Sequence, residues 1–79
     1  MKLSKSKLRM LATAVNGKVI NDDPSYLAVT AGSGEIQLFV TGEAWFVGRV
    51  TEFELDVPQT GMTGLIDWLL ATSEKFEER

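Results

Sequence analysis

The chain has 79 residues, of which 44% are apolar and 24% charged, enough for one hydrophobic core and for no second domain. It contains neither cysteine nor histidine, which excludes disulfides, thiolate nucleophiles and cysteine zinc sites and removes the commonest general base, so binding rather than catalysis is the expected role. The net charge of −3 divides unevenly: residues 1–20 hold five basic groups and no acid, and residues 21–79 hold three basic groups and eleven acids.

Lys2, Lys5, Lys7 and Arg9 precede an apolar run from Met10 to Val15. The run ends at Asn16, short of the roughly seven to fifteen residues of a secretory segment, so no leader is expected and the protein is read as cytoplasmic. Leu8, Leu11, Ala12 and Val15 recur at helical spacing and predict an amphipathic helix, with Lys2, Lys5 and Arg9 on its far face. Ser4 or Ser6 can cap it, and Asn16-Gly17 can end it. Asn-Gly is also the strongest two-residue hairpin signal, so Thr13 to Val15 pairing with Lys18 to Ile20 is the competing reading.

Asn21-Asp22-Asp23-Pro24-Ser25 reads as a turn, because Asn and Asp bond their own backbone and proline restricts φ. Strands are expected at Tyr26 to Ala31, with Leu27 and Val29 inward, and at Glu35 to Thr41, with Ile36, Leu38 and Val40 inward. Gly32-Ser33-Gly34 separates the two, and Gly42-Glu43 makes the next turn. A third strand is expected from Trp45 to Val57; its alternation loses phase, which predicts a bulge at Gly48 to Thr51 that turns Val50 inward. After Pro58, Thr60 or Thr63 can cap a helix whose stripe is Met62, Leu65, Ile66, Leu69, Ser73 and Phe76, with Trp68 near its edge.

The expected architecture is one α+β domain over residues 1–79: an N-terminal helix, a three- to four-stranded antiparallel meander and a C-terminal helix, both helices on one sheet face. Its expected core is Leu11, Val15, Leu27, Val29, Ile36, Leu38, Val40, Phe53, Leu55, Leu65, Ile66 and Leu69.

Gly32-Ser33-Gly34 and Gly61-x-x-Gly64 lack the spacing and the lysine of a phosphate-binding loop. Asp22, Asp23 and Ser25 offer oxygens to a divalent ion, but an Asp-Asp-Pro turn accounts for them, and no metal or cofactor is expected. Glu52, Glu54 and Asp56 alternate with Phe53, Leu55 and Val57, placing three carboxylates on one strand face about 6.6 Å apart. Such a row is ordinarily a solvated face that discourages aggregation. In so acidic a chain it is also a candidate surface for a basic protein, with Glu43, Asp67, Glu74, Glu77 and Glu78 as extensions. Tyr26, Phe39 and Phe46 form a candidate aromatic patch on the same grounds, open to a partner or to a second copy of the chain. The basic residues Lys2, Lys5, Lys7 and Arg9 are the alternative site, for phosphates.

The order of helix, strands and helix, with Pro24-Ser25-Tyr26 at the entry to the sheet, resembles the double-stranded-RNA-binding domain. That resemblance implies nucleic-acid binding, yet the family opens its second helix with phosphate-contacting lysines, where this chain has Thr60-Gly61-Met62-Thr63-Gly64-Leu65 and no lysine until Lys75. The compact acidic profile without a catalytic signature is similar to small phage-encoded inhibitors such as anti-CRISPR proteins. The favoured expectation is an inhibitor that binds a nucleic-acid-handling protein; nucleic acid itself is the second choice, and no membrane is involved.

Overall fold

The computed structural model describes residues 2–32 and 34–77. Its elements are α1 (Lys5–Ala14), β1 (Val19–Asp23), β2 (Tyr26–Ala31), β3 (Gly34–Phe39), β4 (Ala44–Val47), β5 (Glu52–Leu55) and α2 (Met62–Glu77). The turn residue Ser33 and the acidic residue Glu78 lie outside the described residues, as does the side chain of Glu77.

The N-terminal segment folds as the helix. Ser4 is extended and its hydroxyl accepts the Lys7 backbone N–H at 3.3 Å, satisfying an amide that the first turn leaves without a partner. Asn16, at φ 54°, enters the left-handed region, and Gly17 N–H returns to the Ala12 carbonyl at 2.9 Å. Leu8, Leu11 and Ala12 are buried and Val15 partly so. No strand forms at Thr13 to Val15.

The five strands form an antiparallel meander in the order β1-β2-β3-β4-β5, one or two more than expected. The first extra strand arises where a turn was expected: Asn21, Asp22 and Asp23 pair with Ala28, Leu27 and Tyr26, leaving only Pro24 and Ser25 as the turn. The second arises where a bulge was expected. Gly48 N–H donates to the Thr51 carbonyl at 2.7 Å, so Gly48 to Thr51 is the loop of a hairpin that splits the long third strand in two.

That hairpin changes the inward set. Ala44 and Phe46 are buried, whereas Val50 is 93% exposed at the loop tip and Phe53 is 39% exposed at the sheet edge. Of the other expected core residues, Val15, Val40, Leu55 and Ile66 pack only partly buried around the core.

Both helices cover one face. Leu8, Leu11 and Ala12 of α1 and Leu65, Leu69 and Phe76 of α2 join Leu27, Val29, Ala31, Ile36, Leu38, Ala44 and Phe46 in a single cluster. Phe76 stacks on Phe46, ring centroids 3.7 Å apart, and Phe53 leans on both rings from the edge. Leu3 N–H donates to the Val40 carbonyl at 2.8 Å, fastening the segment before α1 to the β3-β4 turn.

Candidate binding face of the sheet

With both helices on one side, no helix or second sheet among the described residues covers the other side. The pairing register sorts its residues into three rows. One reads Asp23, Tyr26, Phe39; the next Asn21, Ala28, Gln37, Trp45, Glu54; the third Thr30, Glu35, Val47, Glu52. Cross-strand neighbours have Cβ atoms about 5 Å apart, so each row is a line of touching side chains.

Tyr26, Phe39, Trp45 and Val47 give this face apolar area on either side of the central Gln37. Tyr26 and Phe39 pair with centroids 5.2 Å apart, and the Tyr26 hydroxyl accepts a hydrogen bond from Asn21 Nδ2 at 2.7 Å. Trp45 and Val47 are partly buried, and Ala28 is fully buried beneath the side chains around it without belonging to the helix-side core. Carboxylates share the face: Glu52 and Glu54 are exposed, Glu35 is partly buried and accepts from Gln37 Nε2 at 3.5 Å. Glu43 borders the first row, its carbonyl accepting the Phe39 N–H at 2.9 Å. No lysine or arginine occupies any of the registered positions; Lys18 borders the third row, its carbonyl accepting the Thr30 N–H at 3.0 Å and its N–H donating to the Thr30 hydroxyl at 3.2 Å.

The structure therefore joins most of the acidic and aromatic residues singled out in the sequence. Tyr26, Phe39, Glu43, Glu52 and Glu54 meet here. Phe46 does not: it points into the helix-side core at 3% exposure, because the hairpin at Gly48 to Thr51 reverses the phase assumed for β4. Asp56 lies past the end of β5 in an irregular segment, so the row of three carboxylates is a pair. Asp67 and Glu74 sit exposed on α2, on the other side of the molecule's sheet. Trp45, Glu35 and Gln37 were missed; reading Ala44 as the inward residue would have turned Trp45 and Val47 outward.

The basic cluster divides. Lys5 makes an ion pair with Asp22, and its ammonium also donates to the carbonyls of Asp23 at 2.6 Å and Tyr26 at 2.9 Å. Arg9 donates to the other Asp22 oxygen at 3.1 Å. These bonds, Lys5 first and then Arg9, hold the Asp22 carboxyl below its usual value. Asp23 is also lowered, by the Ser25 N–H and then the Ser25 hydroxyl, which close the turn at 3.0 and 2.8 Å. Lys5 and Arg9 thus hold the β1-β2 hairpin, and the carboxylates of the notional ion-binding turn are engaged by Lys5, Arg9 and Ser25. Lys2 and Lys7 remain exposed at the surface.

No family model, curated protein or solved structure matches the chain. Among the described residues there is no pocket, and no helix is long and apolar enough to cross a membrane.

Proposed function

We propose that this protein is a binder without catalytic activity of its own, and that it docks the open face of its sheet on a basic surface of another protein. The observation that carries the reading is the composition of that face: Tyr26, Phe39, Trp45 and Val47 across β2 to β4, Glu35 among them on the middle strand, Glu43, Glu52 and Glu54 toward the margins, and no cation in the registered rows. Interfaces are enriched in Tyr, Trp and Phe at their centres and polar at their rims. A face on which carboxylates outnumber cations speeds encounter with the opposite sign and disfavours polyanions. Basic clefts of that kind belong to proteins that handle nucleic acid, so an inhibitor in the manner of phage-encoded anti-CRISPR proteins is the role that fits, and a cytoplasmic site of action goes with it.

The same charge argument places direct nucleic-acid binding second. Two of the four N-terminal cations are engaged by Asp22, and α2 begins without a basic residue in its first turn. The test is a pull-down from host lysate at low and high salt beside a gel shift with duplex and single-stranded nucleic acid. A retained protein that is released by salt, and lost in a Glu35→Lys, Glu52→Lys, Glu54→Lys variant but kept in an Asp67→Lys, Glu74→Lys control, supports the reading. A tight gel shift abolished by replacing Lys2 and Lys7 overturns it.

A further inference from the structure

We infer that β5 is a strand-addition edge, and that its occupant is an extended segment of the partner in which cationic and apolar residues alternate. The inference rests on the reading above for the sign of the partner's charge, and goes beyond it in naming how the partner is held. Size gives the first reason to look past the face itself. Five strands spaced about 4.8 Å, each about five residues long, make a rectangle on the order of 400 Å², half of the about 800 Å² that a standard interface takes from each partner. A partner of standard interface size seated there reaches the edges of the sheet.

The two edges differ. β1 is interrupted by an irregularity between Val19 and Asn21, and its far end is tied to α1 by Lys5 and Arg9. β5 has a regular register to β4, and among the described residues no strand pairs with its outer edge. The Gly48 to Thr51 bond makes Val47 and Glu52 a non-hydrogen-bonded pair, and the ladder then alternates: Phe53 exchanges bonds with Phe46, and the N–H and C=O groups of Glu52 and Glu54 point away from the sheet. These are the groups a sixth strand would engage.

The side chains specify that strand. Glu52 and Glu54 stand on the open face, while Phe53 stands on the helix side, 39% exposed although it contacts the Phe46 and Phe76 rings. A second copy of β5 is a poor occupant, since every in-phase antiparallel register sets carboxylate against carboxylate: Glu52 with Glu54, Glu54 with Glu54, or Glu52 with Glu52. Like charges directly opposite are destabilising. A strand with cations opposite Glu52 and Glu54 and an apolar residue opposite Phe53 reverses each term. It pairs the carboxylates, covers the exposed ring and completes the backbone ladder, which is how strand-addition partners combine affinity with specificity.

The probe is a capped synthetic peptide in which lysine alternates with valine, titrated into the intact protein while Trp45 fluorescence is followed in a Trp68→Phe background. In the antiparallel pairing the lysine amides face β5 and the valine amides face away. N-methylation of the lysine amides is expected to weaken binding about tenfold or more, the effect of losing one or two net hydrogen bonds, and N-methylation of the valine amides to leave it unchanged. Hydrogen exchange should slow at the Glu52 and Glu54 amides. Equal binding by both methylated peptides, lost in the Glu52→Lys, Glu54→Lys variant, overturns strand addition and leaves the acidic face as the site. Binding no tighter than that of a peptide with its lysines and valines in two blocks overturns the inference as well, whereas insensitivity of a captured partner to charge reversal is what removes the underlying reading.

Discussion

Lys5 shows how one side chain can belong to two parts of a small protein at once. It rises from α1, yet its ammonium binds Asp22 and two carbonyls of the β1-β2 hairpin, so the first helix and the first strand are held by a single charged group. Replacing Lys5 with methionine keeps the apolar stem and leaves those carbonyls without their donor; the expected loss is about 1–2 kcal/mol, read as a lower midpoint in urea unfolding. Asp22 and Asp23 titrate below the usual aspartate value of 3.8 in the folded chain. Folding therefore excludes protons from them: the stability they add is present above that value and is lost as pH falls through their folded values. Asp22→Asn should remove part of this acid dependence, so that circular dichroism followed from about pH 4 downward falls less steeply than in the parent. Gly34 illustrates a different constraint. A Cβ there would lie 2.2 Å from the Val47 carbonyl oxygen, a backbone atom that cannot swing aside. Gly34→Ala must part β3 from β4, at a cost of about 1–3 kcal/mol, measured by the same unfolding experiment.

Among the elements, those whose burial follows their own periodicity were legible and those shaped by their neighbours were not. Alternation in β2 and β3 and the helical stripes of α1 and α2 put Leu27, Val29, Ile36, Leu38, Leu11, Leu65 and Leu69 in the core, where they are found. β1 was hidden because Asn21, Asp22 and Asp23 are poor strand formers, and the ion pairs that hold Asp22 come from Lys5 and Arg9, on a different element that no local window contains. The β4-β5 hairpin was hidden because Gly48-Arg49-Val50-Thr51 lacks the Asn-Gly or Asp-Gly signature, and an apolar Val50 at the tip reads as an inward residue. That one misreading moved Phe46 out of the core and Trp45 off the binding face. Glu52 and Glu54 also act at this scale as a guard on the β5 edge. Replacing both with threonine keeps strand propensity and removes the repulsion, so the variant should self-associate at concentrations where the parent sediments as a monomer.

For the molecule as a whole, the order of the strands has a kinetic meaning. Each strand of the meander pairs only with the one before and the one after it in sequence, so the sheet closes through a succession of short loops, each costing little chain entropy. The contacts that α2 makes are of another kind: Phe76 reaches back to Phe46 across the β4-β5 hairpin and the whole following segment. Non-local contacts reward the chain only after their loop entropy has been lost. The hairpins should therefore be formed in the folding transition state and α2 should dock after it. On that ordering, Phe76→Leu raises the unfolding rate and leaves the folding rate nearly unchanged, while Val29→Ala, at the centre of the meander, slows folding. Stopped-flow chevrons of the two variants would show the two limbs moving separately, and a protein whose last helix is the last element to arrive would expose the Phe46 and Phe53 rings each time that helix lifts.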